Sequence, residues 1–363
     1  MEFRILNKDF IDIRSLDTYS SFIWSERYNH YGDFEIVVGP TDENLESLKE
    51  DFYVWSLESE HTMIIEDVRI STDVEIGNEL IITGRSLESI LSGRTAWQTI
   101  ILEGNVQQGI QRLLNESIIN PIDSSRRIPN FVFNTNNDPY ISSLTFDSPV
   151  EVSVGSDIFT KVRQLCVERY IGFKITLSED NNFIFSLYSG IDRSYNQSTN
   201  PYVIFSPEFD NLFNSNFFSS VRGLRTVALV GGENPRDETQ ERIFVEVSLP
   251  SGGGSGLSRR ELFVDASGIS RNIGRPEEVP LPIYIDMLRQ RGLETLALHI
   301  RETAFEGGID ISNMYVFGVD FFMGDIVQVA NEFRMEHPSR IVELIRSLTN
   351  EGFKAVPTFV TIM

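Results

Sequence analysis

The sequence points to a β-rich α+β protein that uses one small β unit twice, with an α+β region inserted between the copies. Three observations carry this. Short alternating apolar runs, FRIL, SFIW, FEIVV, MIIEDV and ELIITG, occupy Phe3 to Glu103 between Asp, Asn, Gly and Pro, the signature of an antiparallel sheet or barrel. Helical periodicity takes over past Thr95, where Val106, Ile110, Leu113 and Leu114 fall at i, i+4, i+7 and i+8. The early β pattern then returns near the C-terminus.

The return keeps its order. HYGDFEIVVG (His30 to Gly39) sets an aromatic residue, Gly32, Asp33 and a strand from Phe34 to Val38. The stretch Val319 to Gly352 sets Phe321 and Phe322, then Gly324, Asp325 and a strand through Ile326, Val327, Gln328 and Val329. A second apolar strand follows in each, with Glu60, His61, Ile64, Ile65, Glu66 and Arg69 echoed by Glu336, His337, Ile341, Val342, Glu343 and Arg346. The first copy holds about fifteen extra residues between turn and second strand, which a surface loop absorbs at small entropic cost. Glycine accommodates positive φ and Asp binds local backbone, so Gly32, Asp33, Gly324 and Asp325 are expected as the structural turn motifs of two equivalent units. Two ordinary hairpins would also contain such turns; the repeated order favours duplication. Arg340, Glu343 and Arg346 are expected to mark the solvated face of the last unit.

Length and composition bound the rest. At 363 residues the chain suits two to four domains, and 41% hydrophobic with 11% aromatic residues can fill sizeable cores. The formal charge is -22, from 53 acidic and 31 basic residues, and the lysines are only Lys8, Lys49, Lys161, Lys174 and Lys354. This balance excludes binding that depends on neutralising phosphates. Solubility accounts for the acidity, and an acidic wall would also let DNA pass without adhering. Cys166 is the single cysteine, so a disulfide framework or cysteine-rich zinc site is excluded, and its apolar helical position makes it a core residue. MEFRILNKDF lacks a secretory apolar region, and no uninterrupted apolar run is long enough to span a bilayer, so a soluble protein made in a cytoplasm is expected.

Along the chain, Thr41 or Asp42 should cap a short helix within Pro40 to Asp51, and Ser86 to Leu91 should open another. Ser156 or Asp157 should cap a stronger helix with Ile158, Val162, Leu165 and Cys166 on its inner face and Gly172 as its stop. Phe173 to Leu177 and Phe183 to Tyr188, flanking SEDNN, read as a hairpin. Phe205, Phe209, Phe213, Phe217 and Phe218 have a spacing open to a helical stripe, expected to serve core packing or a subunit contact. Thr226 to Val230 and IFVEVSL read as strands, with ENPRDETQER and SGGGSG as exposed loops. Pro282 should start a helix through Met287 and Leu288 that Gly292 breaks, and Leu293, Leu296, Ala297 and Ile300 should form the next. β texture resumes after EGGIDIS, and PTFVTIM reads as an edge strand because Pro357 cannot donate to a ladder interior.

No pattern carries catalysis. His30, His61, His299 and His337 lack HExxH or other compact metal spacing, and GGGSG satisfies neither a nucleophile elbow nor a phosphate loop. A carboxylate pair across a cleft would leave no trace in sequence spacing. No catalytic, cofactor-binding or metal-binding residue is assigned, and no cofactor is expected.

SSFIWSERYNHYGDFEIVV, MIIEDVRI, LIITGRSLESIL, VALVGGEN, RRELFVDAS, and finally GDIVQV with RIVELIRSLTNEGFKAVPTF together span nearly the whole chain. In that order they resemble the siphophage tail-hub, or tail-associated (Tal-like), proteins, a family related to the baseplate hub proteins of contractile tails. The terminal VTIM departs from the Phe-Gly ending of the resemblance.

The resemblance implies two similar small β-barrel, tail-tube-like domains with an inserted α+β middle region. The expected boundaries are 1–95 for the first hub barrel, 96–220 for the middle domain, 221–250 with 315–363 for the second barrel, and 251–314 for an inserted loop and helical segment. It further implies a homotrimer whose six barrels close the tail tube, adapt sixfold to threefold symmetry and form part of the DNA exit channel. The implied partners are a distal tail protein ring or the tail tube, the tape measure protein, and separate receptor-binding or lytic tail-tip proteins. DNA would pass transiently without specific binding. The implied location is the virion tail tip or baseplate, after assembly in the host cytoplasm. Because the chain stops at Met363 without the fibre or wall-degrading extension of many members, no enzymatic activity is expected of it. The competing reading, a β-rich carbohydrate-binding or glycan-hydrolysing surface protein, explains the acids but not the repeat.

Overall fold

The computed structural model describes residues 1–73, 77–147, 149–234, 241–249, 252–271, 279–309, 314–333, 335–349 and 352–361. The first unit consists of β1 (Phe3–Leu6), β2 (Asp12–Leu16), β3 (Ser21–Arg27), β4 (Asp33–Val38), β5 (Tyr53–Trp55), β6 (Met63–Asp73) and β7 (Gly77–Ser86). They are hydrogen-bonded in the order β2–β1–β5–β6–β7–β4–β3. Alternation places Leu80 and Ile82 of β7 on one face, where they meet Phe3, Trp24, Phe34 and Ile65 in a closed apolar cluster. Helix α1 (Asp42–Ser47) starts at Thr41, whose hydroxyl accepts from the Asn44 N–H at 3.2 Å.

The middle region holds β8 (Ile100–Leu102), α2 (Val106–Leu114), β9 (Phe131–Asn134), α3 (Pro139–Ser143), β10 (Val150–Val152), α4 (Ile158–Glu168), β11 (Gly172–Leu177) and β12 (Phe183–Tyr188). Asn105 and Asp157 cap α2 and α4 by accepting from the N–H groups of Gln108 and Thr160 at 3.2 and 2.7 Å. The apolar faces of both helices close on Phe173 and Phe185 in a separate core. Cys166 lies in it, and burial pushes its thiol far up from the usual range. The expected helix stop is different: α4 ends at Glu168, Tyr170 takes the left-handed turn at φ 54°, and Gly172 already belongs to β11.

The second unit is assembled from distant segments. β13 (Ile204–Phe205) and β14 (Leu212–Ser220) come first. Then β15 (Val227–Gly231), β16 (Phe244–Ser248), β17 (Glu261–Asp265) and α5 (Leu281–Ala297) form their own small sheet, helix and core. Strands β18 (Glu302–Ile309), β19 (Ile326–Ala330), β20 (Glu336–Thr349) and β21 (Gly352–Thr361) complete the unit in the order β14–β18–β21–β20–β19–β13.

Several boundaries therefore differ from expectation. Residues 204–220, expected in the middle domain, pair into the second unit, as does 302–309 from the expected insert. Strands β15 and β16, expected in the second unit, instead form a sheet with β17 and pack on α5. The phenylalanine run is not a helical stripe: Phe213, Phe217 and Phe218 lie on β14, where a register shift between Phe213 and Asn216 breaks the strand period. Helix α5 runs through Gly292, which is glycine because the sheet approaches it; an added Cβ would stand 2.8 Å from Val230 Cγ2. Strand β21 is internal rather than an edge, and its ladder to β18 holds Glu306↔Thr358 and Ile309↔Ala355 on either side of Pro357. Residues 235–240 of ENPRDETQER, Ser251 of SGGGSG, 310–312 of EGGIDIS and the last two of PTFVTIM lie outside the described residues.

The repeat exists at the level of strand order. β3–β4–β7–β6–β5–β1 and β14–β18–β21–β20–β19–β13 follow the same path and the same chain order, although β1 meets β5 antiparallel and β13 meets β19 parallel. Both long hairpins slip register at the same place, between Ile65 and Asp67 and between Ile341 and Glu343. Both turn back at a glycine of positive φ, Gly77 at 99° and Gly352 at 102°. The paired strands do not close into a ring among the described residues.

That register corrects the expected match of turns. Ile65 exchanges backbone hydrogen bonds with Asp51 and Phe52, at 2.9 and 2.8 Å, as Ile341 does with Gly324 and Asp325, both at 2.9 Å. Asp51, like Gly324, has positive φ. Gly324 and Asp325 thus answer to Asp51 and Phe52, while Asp33, paired with Arg85, answers to Ala304, paired with Val360.

Candidate assembly interface

The two units are fused by strand pairing. β3 and β20 run antiparallel through Phe22↔Leu348, Trp24↔Arg346, Glu26↔Leu344 and Arg27↔Glu343, so one sheet of 13 strands crosses both units. Arg346 was expected in solvent but is 7% exposed, because β3 covers it. Its Nη1 donates to Glu26 Oε1 at 2.7 Å, and Trp24 Nε1 donates to the same oxygen at 3.2 Å. Burial opposes the Glu26 charge, but Arg346 and His61 beside it hold the carboxyl below the usual range. At the rim, Arg27 donates to Glu343 at 2.6 Å and pairs with Asp33 at 2.7 Å.

The middle region is pinned to the same seam. Glu88 Oε1 accepts from the Ile175 N–H at 2.8 Å and lies 3.1 Å from His61 Nδ1. Burial works against a charged His61, yet Glu88, by charge and hydrogen bond, and Glu26 raise its pKa to about 9. Tyr28 touches all three parts: its N–H donates to Val342 O at 2.9 Å, its hydroxyl donates to Tyr170 O at 3.0 Å, and its carbonyl accepts from Phe173 N at 3.2 Å. Burial pushes the Tyr28 hydroxyl up to about 12. An added Cβ at Gly172 would stand 2.5 Å from its ring, and one at Gly324 would overlap the ring.

The four expected turn residues fall at two places around this seam. Gly32 approaches Ser25 so closely that a Cβ would overlap its carbonyl, and its N–H donates to Ser86 Oγ at 2.7 Å. Asp33 is half-exposed beside Arg27. Asp325 is buried and accepts from Ile191 N, Arg193 Nε and Phe322 N at 2.7, 2.7 and 3.1 Å, tying the second unit to the chain leaving β12. Sequence reasoning missed Glu26, Tyr28 and Arg193. A signal existed in Glu26 and Arg346, each a charge inside an apolar strand, SFIWSER and RIVELIRSL.

Between the three parts lies an open cleft of about 520 Å³, lined by Glu26, His61, Lys174 and Asp325 among charged groups and by Leu57, Phe322 and Val319 among exposed apolar ones. Each of those charges is held: Glu26 by Arg346, His61 by Glu88, Lys174 by Glu60 and Asp325 by Arg193. Among the described residues, no group of three or more His, Cys, Asp or Glu is placed to hold a metal, and no helix is long and apolar enough to cross a membrane. Among the described residues the sheet ends in three strands paired on one side, β2, β13 and β14, and β14 exposes Phe213 and Phe218. Open apolar edges of this kind are templates for further strand pairing.

The family model described as "Siphovirus ReqiPepy6 Gp37-like protein" matches residues 2–359. No curated protein matches. Among solved structures, the 43 kDa tail protein of prophage MuSo2 from Shewanella oneidensis aligns with a TM-score of 0.60 at 13% identity, covering 99% of this chain and 98% of that one. The tail protein from Neisseria meningitidis MC58 gives 0.56 at 12%, with 100% and 97% covered. Prophage tail protein gp18 from Listeria monocytogenes EGD-e gives 0.52 at 12%, with 99% and 94% covered. At these identities the likeness is one of fold.

Proposed function

Because the chain belongs to the Siphovirus ReqiPepy6 Gp37-like protein family, we propose that it is a structural component of a phage tail tip or baseplate, a trimeric hub closing the tail tube. The observation that carries this reading is the β3–β20 fusion of two units sharing one strand order. Two quasi-equivalent units per chain let three chains present six similar faces to a sixfold tube or distal tail ring and threefold symmetry to whatever lies below. In this reading each unit is a small tail-tube-like barrel. The net charge of -22 per chain makes the ring strongly acidic, so exiting DNA passes its lumen without adhering. The tape measure protein meets one side; receptor-binding and lytic proteins are separate parts.

The role is structural rather than catalytic. A glycan-hydrolysing alternative needs two working carboxylates in a cleft, whereas Glu26 and Asp325 are each committed to a buried arginine. The test is solution mass together with negative-stain imaging of the purified protein. Ring-shaped trimers are expected; a monomer without a central hole at all concentrations rejects the hub. A zymogram that clears peptidoglycan rejects the non-catalytic part.

A further inference from the structure

The two halves of the repeat are not equally satisfied. In the second unit, the distal half of β20, Glu343 to Leu348, lies between β21 on one side and β3 of the first unit on the other. In the first unit, the corresponding half of β6 begins at Asp67; it pairs with β7 on one side, and β5 reaches only Met63 and Ile64 on the other. The burial follows suit. Ser339 and Ile341 are buried like their counterparts Met63 and Ile65, but Arg346 is 7% exposed where its counterpart Ile70 is 56% exposed. The covering strand of the in-chain joint, β3, likewise has a counterpart with an open edge: among the described residues β14 pairs with β18 alone, and it leaves Phe218 47% exposed. The chain thus contains one made joint, β3 on β20, and both halves of the same joint unmade, β14 and distal β6.

We propose that β14 of one copy pairs antiparallel with the distal half of β6 of the next, repeating between chains the joint that β3 and β20 make within one. This rests on the trimeric reading above and gives it a register. Trp24 opposes Phe34 on β4 as Phe217 opposes Phe305 on β18, so Phe217 answers to Trp24. Since Trp24 faces Arg346 and Arg27 faces Glu343, the second copy's strand would set Phe217 against Ile70, Phe218 against Arg69, Ser219 against Val68 and Ser220 against Asp67. The pairing joins Phe217 to the exposed Ile70 and removes two free edges at once. It is head-to-tail, with different surfaces meeting, so it propagates around a ring instead of ending at a twofold dimer.

Cysteine cross-linking of the full chain tests this, since Cys166 is buried and inert. Val68→Cys and Ser219→Cys are made singly and together, with Arg69→Cys and Phe218→Cys as the adjacent rung, because neighbouring rungs of an antiparallel ladder differ in side-chain separation. Under oxidation, mixed single variants should yield covalent dimers, the double variant covalent trimers, and either single variant alone only monomers on a denaturing gel. Dimers from one single variant alone would overturn the proposal in favour of a twofold contact. If the reduced protein forms trimeric rings yet neither rung cross-links, the register falls and the hub stands. If the protein is monomeric at every concentration, both fall.

Discussion

Arg346 and Glu26, 320 positions apart in the chain, meet at 2.7 Å with less than a tenth of either side chain exposed. The ion pair lies on the ladder that joins the two units, so it sits where one sheet passes from the first to the second. Strand pairing supplies the joint's geometry and the pair makes a wrong register expensive, since a two-residue slip would keep both charges on the buried face but part them, leaving each without its partner.

Arg346→Ala should therefore destabilise the protein by about 3–5 kcal/mol, because it leaves Glu26 buried without its cation. Replacing both by apolar residues, Glu26→Leu with Arg346→Met, should recover most of that loss. The Glu26 pKa is held below its unfolded value, so its contribution is present above the unfolded pKa and is lost as pH falls through the folded one. Urea midpoints for the single and double variants decide the point; a double variant no better than Arg346→Ala refutes it.

His61 gives the opposite pH dependence. Its pKa is raised to about 9, well above that of an ordinary imidazole, so its charged pairing with Glu88 contributes fully below the unfolded value and fades as pH rises toward about 9. His61→Gln should cost on the order of 3 kcal/mol at pH 6 and much less above pH 9. Denaturant titrations of both proteins at the two pH values measure this. A penalty independent of pH would mean that the imidazole acts by shape alone.

Local chemistry was legible in the sequence and long-range pairing was not. Asp157 and Thr41 could be read as caps because capping is decided within four residues. The second unit could not be bounded, because β14 and its partner β18 are separated by a complete inserted sheet and helix. The echo of the two hairpins was real but slipped: matching residue types set Arg69 on Arg346, whereas the ladders set Ile70 there. Strand side chains alternate faces, so that slip of one exchanged a buried position for a solvated one. The seam stayed hidden for a separate reason: Arg340, Glu343 and Arg346 read by themselves as a solvated face, and only the pairing with β3 covers Arg346.

Gly324 must be glycine for two reasons, a φ of 90° and the Tyr28 ring occupying the space of a Cβ. Gly324→Ala should cost at least about 1–3 kcal/mol, the range for strained backbone, and should loosen the contact among the three parts of the chain. Gly39→Ala is the control, since φ there is not positive and nothing lies within 4 Å of its Cβ; it should be neutral or slightly stabilising. Thermal melts and limited proteolysis of the two variants separate these outcomes. Equal melting temperatures would mean that Tyr28 yields easily.

Gly292 poses a sharper contest because two effects oppose each other. Inside an exposed helix, Gly→Ala would stabilise by about 1 kcal/mol. Here the face is covered, and the new methyl would stand 2.8 Å from Val230 Cγ2 and 2.9 Å from Val247 Cγ2, inside van der Waals contact with branched side chains that cannot swing away. Overpacking of this kind costs about 1–3 kcal/mol, so Gly292→Ala should destabilise. Adding Val247→Ala makes room on one side and should restore part of the loss, a non-additive result expected only of residues in contact. A double-mutant cycle by urea unfolding measures the coupling. If the two substitutions simply add, the helix has room to move off the sheet, and the close approach of α5 to β15 and β16 is not what keeps position 292 a glycine.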